Sequence, residues 1–200
     1  MSEDKTLSLH GVILAAGASA RMGSPKALLP YEGRSFLDRM LDSFTAACDT
    51  VAVVTAPDAE PIRKLCESRG IPIVINPAPE RGMLTSLQSA LAAHDAGGYL
   101  FSPVDYPALL PETVKAIVDA FRREPRPVIV PLYSNCHGHP VCISREVARD
   151  ILALPPEASA RDAMHVRASG TLYLPVNDPG ILRDVDTPAD YAALKNAEGA

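Results

Sequence analysis

Short apolar runs alternate with amphipathic stretches through the first 130 residues, and this alternation constrains the fold more than any other feature. The runs are Val12–Leu14, Val51–Thr55, Ile71–Ile75, Tyr99–Ser102 and Val128–Leu132, short enough for strands and rich in branched residues. Between them the period changes. Phe36, Leu37, Met40, Leu41 and Phe44 recur at helical spacing behind Ser35-Phe36-Leu37-Asp38, a capping box. Asp58–Arg69 predicts a helix with Ile62, Leu65 and Cys66 inward and Gly70 as its stop. Met83–His94 buries Leu84, Leu87 and Leu91, and a helix opening at Pro111 carries Val114, Ile117, Val118 and Phe121. Strands and helices in this order make βαβ units, hence a mostly parallel sheet with helices on both faces. Ligands of such folds bind beyond the carboxyl ends of the strands, which here are Gly17, Thr55, Asn76 and Asp105.

The rest of the chain reads as a small mixed extension of that sheet. A polar loop, Tyr133–His139, precedes a strand over Pro140–Ile143, and Ser144 caps a helix through Val147, Ile151 and Leu152. A short helix starts at Ser159. Thr171–Val176 and Leu182–Val185 are expected strands, and Thr187-Pro188-Ala189-Asp190 is a second capping box with proline at the first helical position. The expectation is one α/β domain over residues 1–200, with about residues 1–9 as a tail. A chain of 200 residues with 47% hydrophobic content can bury such a core.

The first run ends in VILAAGASARMGSPK, Val12 to Lys26. Small residues follow the strand, two cations close the segment, and no bulky side chain stands between. Such a backbone can approach a ligand closely and point N–H groups at it, as loops that cradle phosphates do. The net charge of −5 disfavours duplex nucleic acid as partner and makes Arg21 and Lys26 more informative. Two well-known phosphate loops fail on residues. Gly17 and Gly23 are one residue too far apart for GxxxxGK[ST], and Ser24 stands where lysine is needed. Gly17-Ala18-Ser19 lacks the second glycine of a dinucleotide fingerprint, which disfavours an oxidoreductase. No run approaches 18 apolar residues, so no membrane span is expected. The acidic first ten residues do not read as a signal peptide. Four scattered cysteines without CxxC spacing read as reduced thiols of a cytoplasmic protein. Cys136-His137-Gly138-His139 has ligand-type residues, but a structural zinc site needs a second pair that the sequence lacks.

Leu14-Ala15-Ala16-Gly17, Ser19, Arg21-Met22-Gly23 and Lys26 fill the pattern LAAGxSxRMGxxK. With it the chain resembles the nucleotidyltransferases that make molybdenum cofactor dinucleotides, within the wider nucleotide-sugar pyrophosphorylase group. Four further segments carry the resemblance: Asn76-Pro77 with Gly82-Met83 and Ser86, Val104-Asp105-Tyr106-Pro107, Gly138-His139-Pro140, and Asp184-Val185-Asp186-Thr187-Pro188. The resemblance implies a Rossmann-like three-layer fold of the GT-A kind. It also implies attack by an acceptor phosphate oxygen on the α-phosphorus of an NTP, with Mg²⁺ held by Asp105 and Asp186. Arg21, Lys26 and Asp105 are the implied catalytic residues. Base and phosphate contacts fall to Leu14, Ala15, Ala16, Gly17, Ser19, Thr55, Asn76, Gly82 and Ser86, and acceptor contacts to Gly138 and His139. Asn76 can equally cap a turn before Pro77, and Ser86 can be a plain helix residue. Ala16 tilts the NTP toward CTP, because the cytidylyl branch reads LAAG where the guanylyl branch reads LAGG. The relatives' glycine before the metal-binding aspartate is Val104 here, which leaves the acceptor open between molybdopterin and a sugar 1-phosphate. A non-catalytic nucleotide-binding protein that serves a molybdoenzyme, touching it transiently, is the reading from another class.

Overall fold

The computed structural model describes residues 7–17, 22–155 and 157–196. Its first strand, β1 (Leu9–Ala15), lies at the centre of the sheet and is buried along its whole length. Alternate side chains explain this. Ile13 and Ala15 belong to one core with Phe36, Phe44, Val114 and Phe121, whereas Val12 and Leu14 belong to another with Leu87, Leu91 and Val147. A strand covered on both faces needs apolar residues at every position, which is why it reads as a continuous run. Leu9, placed in the expected tail, is fully buried.

A hairpin of β2 (Pro30–Tyr31) and β3 (Arg34–Ser35) then leads into α1 (Phe36–Ala47). β4 (Thr50–Thr55), α2 (Glu60–Ser68), β5 (Ile73–Ile75), α3 (Met83–Ala93), β6 (Gly98–Pro103) and α4 (Pro111–Arg123) complete the alternating half. β7 (Val128–Tyr133), β8 (Cys136–His137), β9 (Val141–Ser144), α5 (Arg145–Leu152), α6 (Ala160–Val166), β10 (Thr171–Pro175) and α7 (Pro188–Asn196) follow. The sheet order is β10-β7-β9-β6-β1-β4-β5, with β8 paired to β7. β1 pairs parallel with β4 and β6, β4 with β5, and β7 with β10; β9 runs antiparallel to both β6 and β7. The mostly parallel α/β sheet and its mixed extension are as expected.

The second capping box forms, Thr187 N donating to Asp190 Oδ2 at 2.7 Å and Asp190 N to Thr187 Oγ1 at 3.2 Å. At α1 Ser35 caps, its Oγ accepting from Asp38 N at 3.0 Å, but the Asp38 carboxylate accepts from Ser35 Oγ at 2.7 Å and not from the Ser35 backbone, so the box is half made. The expected strand over 182–185 does not form. Pro179–Leu182 is a 3-10 turn with Asp178 Oδ1 accepting from Gly180 N at 2.8 Å. The side chain supplies a local partner, and proline has no N–H to give a ladder. The loop after β7 is more ordered than expected: Ser134 and Asn135, at φ 46° and 65°, form a tight turn that brings β8 back onto β7.

From β1 the chain moves outward through β4 to β5, and α3 then carries it back across to β6 on the other side of β1. The connections leave the carboxyl ends of β1 and β6 in opposite directions. A crevice opens there, at the topological switch point.

Candidate active site

Leu14–Gly17 leave β1 and Pro103–Asp105 leave β6 to line one cavity of about 440 Å³, with Lys26, Gly82, Met83, Ser86 and Asp186 among its walls. Val104 N donates to Leu14 O at 3.0 Å and Val185 N to Asp105 O at 2.9 Å, so three chain segments are stitched together at the floor. Over that floor the Lys26 ammonium donates to Asp105 Oδ2 at 3.3 Å and to Asp186 Oδ1. The side chains are 13%, 22% and 39% exposed respectively. This wet-to-dry gradient leaves Asp186 accessible and Asp105 largely enclosed. Burial raises the Asp105 carboxyl above its usual range, the Lys26 charge and hydrogen bond pull it back, and Asp186 adds to the rise. Burial, with Asp184, Asp105 and Asp186 beside it, pushes the Tyr106 phenol up to about 12.

Asp105 Oδ1 is buried without a hydrogen-bond partner among the described residues. A buried oxygen left this way is costly unless something occupies it. Two converging carboxylates, one with an open oxygen, fit a hard divalent cation that keeps waters and takes phosphate oxygens as its other ligands. Among the described residues no group of three or more His, Cys, Asp or Glu gathers as a closed metal site.

Thr55 is fully buried in register with Ala15, its Oγ1 unpartnered among the described residues. Asn76 is also fully buried and its amide is fully used. Nδ2 donates to Thr85 Oγ1 at 3.0 Å and Ser86 Oγ at 2.9 Å, Oδ1 accepts from Ala78 N at 2.9 Å, and its own N donates to Thr55 O at 2.9 Å. Asn76 thus ties the end of β5 to the first turn of α3, and Ser86, which it holds, faces the cavity. Gly82 precedes α3 at φ 94°, a region that favours glycine. Ser19 and Arg21 lie outside the described residues.

Gly138 and His139 are not in this cavity. They line a second one of about 710 Å³ with Tyr106, Arg161, His165 and Tyr173. The His139 ring lies 4.9 Å from Tyr106 and 6.0 Å from Phe101. Burial lowers His139 to about 4, against a hydrogen bond to the Phe101 backbone, so it is neutral near pH 7. Its Nδ1 has no partner among the described residues. Sequence reasoning left the second cavity's other residues without a role. Met83, which the sequence marks only as a helix start and a motif member, is 46% exposed and lines both cavities. A large apolar residue directly after Gly82, on the strand-end side of the helix, was the available signal. A third hollow of about 370 Å³ beside Ala15–Gly17 adds Asp58 and Glu80, which no motif marked.

The sequence model of the MobA-like NTP transferase domain matches residues 11–171. The chain is 27% identical over 190 residues to a molybdenum cofactor cytidylyltransferase of Escherichia coli, covering 92% of this chain and 94% of that one. It is 32% identical over 126 residues to a probable molybdenum cofactor guanylyltransferase of Rhodopirellula baltica (61% and 60%), and 29% identical over 188 residues to a nicotine blue oxidoreductase of Paenarthrobacter nicotinovorans (88% and 91%). Among solved structures it is similar to Rv0371c of Mycobacterium tuberculosis, at TM-score 0.80 and 31% identity over 94% of this chain and 97% of that one. A manganese complex of Rv0371c superposes at TM-score 0.77, 28% identity and coverage of 95% and 99%. A strand-loop-cation segment at the switch point, two carboxylates meeting that cation, and a domain match spanning most of the sheet agree: the chain belongs to the MobA-like NTP transferase family.

Proposed function

We propose that this protein transfers a nucleotidyl group from an NTP, with CTP favoured, to a phosphorylated acceptor of the molybdopterin type, with Mg²⁺ and release of pyrophosphate. The observation that carries the reading is Lys26 bonded to both Asp105 and Asp186 in the wall of the switch-point cavity. The first cavity would take the NTP against the Leu14–Gly17 backbone, and the second the acceptor beside Gly138 and His139. An acceptor phosphate oxygen bonds to the α-phosphorus as the bond to the α,β-bridging oxygen breaks, and the electron pair leaves with pyrophosphate. Such a reaction needs positioning and charge neutralisation more than covalent help.

Lys26 would donate to the α-phosphoryl oxygens or the acceptor phosphate, and Arg21, by its fork of donors, to the β and γ oxygens. Asp105 and Asp186 would hold the divalent cation, which supplies positive charge to the triphosphate. Support for CTP comes from Ala16 and from the cytidylyltransferase relative. A cation clasped by two carboxylates suits a triphosphate better than hydride transfer, so the oxidoreductase among the relatives does not set the reading.

The test is pyrophosphate release with Mg²⁺ across the four NTPs, with molybdopterin or a panel of sugar 1-phosphates as acceptor. Release with CTP and molybdopterin is expected. Release with a sugar 1-phosphate alone would replace the acceptor, and no release from any pair would favour a nucleotide-binding protein without catalysis.

A further inference from the structure

Residues 178–186 run as a strap to which two loops of the site are fastened, the connection from β6 to α4 and the Gly138-His139 loop. At its start the Asp178 carboxylate is 1% exposed and accepts three hydrogen bonds: Leu110 N at 3.0 Å, Thr113 Oγ1 at 2.7 Å and Gly180 N at 2.8 Å. Leu110 and Thr113 stand at the start of α4, so the strap is pinned where the chain leaving Asp105 turns into a helix. Contact there is close. A Cβ on Gly180 would stand 2.1 Å from the Ala108 carbonyl oxygen, so only glycine lets the two backbones meet.

The middle of the strap holds the acceptor loop. Ile181 O accepts from His139 N at 3.1 Å, and a Cβ on Gly138 would stand 2.1 Å from that same Ile181 oxygen. Gly138 therefore serves the fit between loop and strap. At the far end Val185 N donates to Asp105 O at 2.9 Å, and the next residue, Asp186, bonds Lys26. One segment thus sets the carboxylate of one cavity and the imidazole of the other, and its anchor touches neither.

We infer that Asp178 is a positioning residue, which through the strap fixes Asp186 for the divalent cation and His139 for the acceptor. The inference rests on the assignment of those two residues to cation and acceptor. Asp178 suits the task because its three partners are all donors. An amide in its place would aim an NH₂ group at one of them, in a site closed to water.

The experiment measures Mn²⁺ affinity by EPR and the His139 imidazole ¹⁵N resonances by NMR in Asp178→Asn. Thr113→Val, which removes one donor, is the milder variant that carries the test if Asp178→Asn does not fold. Loss of a group that orients a metal ligand costs about 10–100-fold in metal affinity, so Asp178→Asn is expected to weaken Mn²⁺ binding at least about tenfold and to shift the His139 resonances. Thr113→Val should move both readouts in the same direction by less. Ile151→Val, on the buried face of α5, should lower the melting temperature and move neither. Wild-type Mn²⁺ affinity and unshifted His139 resonances in the folded variants would overturn the inference, as would equal changes in Ile151→Val. Neither readout uses transfer: a protein that binds Mn²⁺ but releases no pyrophosphate loses the proposed reaction and leaves this inference to the comparison of affinities.

Discussion

At the scale of single residues, charge decides the site. Lys26 supplies the positive charge between Asp105 and Asp186, and its removal has two consequences of opposite sign. Turnover in Lys26→Ala should fall roughly 10²–10³-fold, the scale of losing one transition-state charge partner. Mn²⁺ affinity without nucleotide should rise, because the two carboxylates no longer share their field with an ammonium. EPR titration beside steady-state pyrophosphate release checks both, and weaker Mn²⁺ binding would show that Lys26 does not compete with the cation. The residue types were legible in sequence: LAAG with Arg21 and Lys26, and aspartates at strand ends. Their meeting was not, because Lys26 and Asp186 are brought together only by the closing of the sheet and the strap. Asn76 shows the opposite limit. Its sequence neighbourhood allowed a base contact or a turn cap, and only its burial reveals an amide committed to Thr85, Ser86 and Ala78.

At the scale of elements, local signals read well where a side chain closes its own element. Ser35 and Ser144 cap helices as their sequence positions predict, and Gly70 ends α2's loop at φ 65°. Ser35→Ala should cost about 1 kcal/mol in urea unfolding. Signals failed where pairing decides. Leu182–Val185 has strand-forming residues but no neighbouring edge, since Asp178 and Pro179 turn the chain first. The β2–β3 hairpin, two residues per strand, is too short to show a period. The junction of β5 and α3 depends on one polar side chain. Asn76→Ala should therefore destabilise by about 1–3 kcal/mol, the cost of leaving buried partners unsatisfied. It should also weaken nucleotide binding through Ser86 and Gly82; urea unfolding with calorimetric CTP titration checks the pair. An unchanged midpoint would show that α3 is held by its apolar face alone.

At the scale of the whole molecule, two histidines at different places, His10 buried and His139 half-buried, give one pH dependence. His10 lies in β1 at the end of the sheet away from the site, its Nδ1 2.7 Å from Thr50 Oγ1 and its ring stacked at 4.0 Å on His94. Burial first, then the His94 charge, lowers it from 6.5 to about 4, and burial lowers His139 to about 4 as well. In the unfolded chain both regain their ordinary affinity for protons. Between about pH 4 and 6.5 the unfolded state thus binds more protons, and stability rises with pH and levels off above that window. His10→Leu should remove about half of the histidine part of that slope, seen in urea midpoints across the window. A slope unchanged in His10→Leu would show that His10 is protonated in the native protein.

The sequence by itself determined the alternating α/β order, the apolar first strand buried on both faces and the helix caps, because periodicity and capping act over a few neighbours. It also held the motifs on which family resemblance rests. Tertiary structure alone decided the antiparallel β9, the strap in place of a strand, the division into two cavities, and the convergence of Lys26, Asp105 and Asp186. Those depend on which strand edges meet and which buried donors face Asp178, and such contacts join residues far apart in the chain.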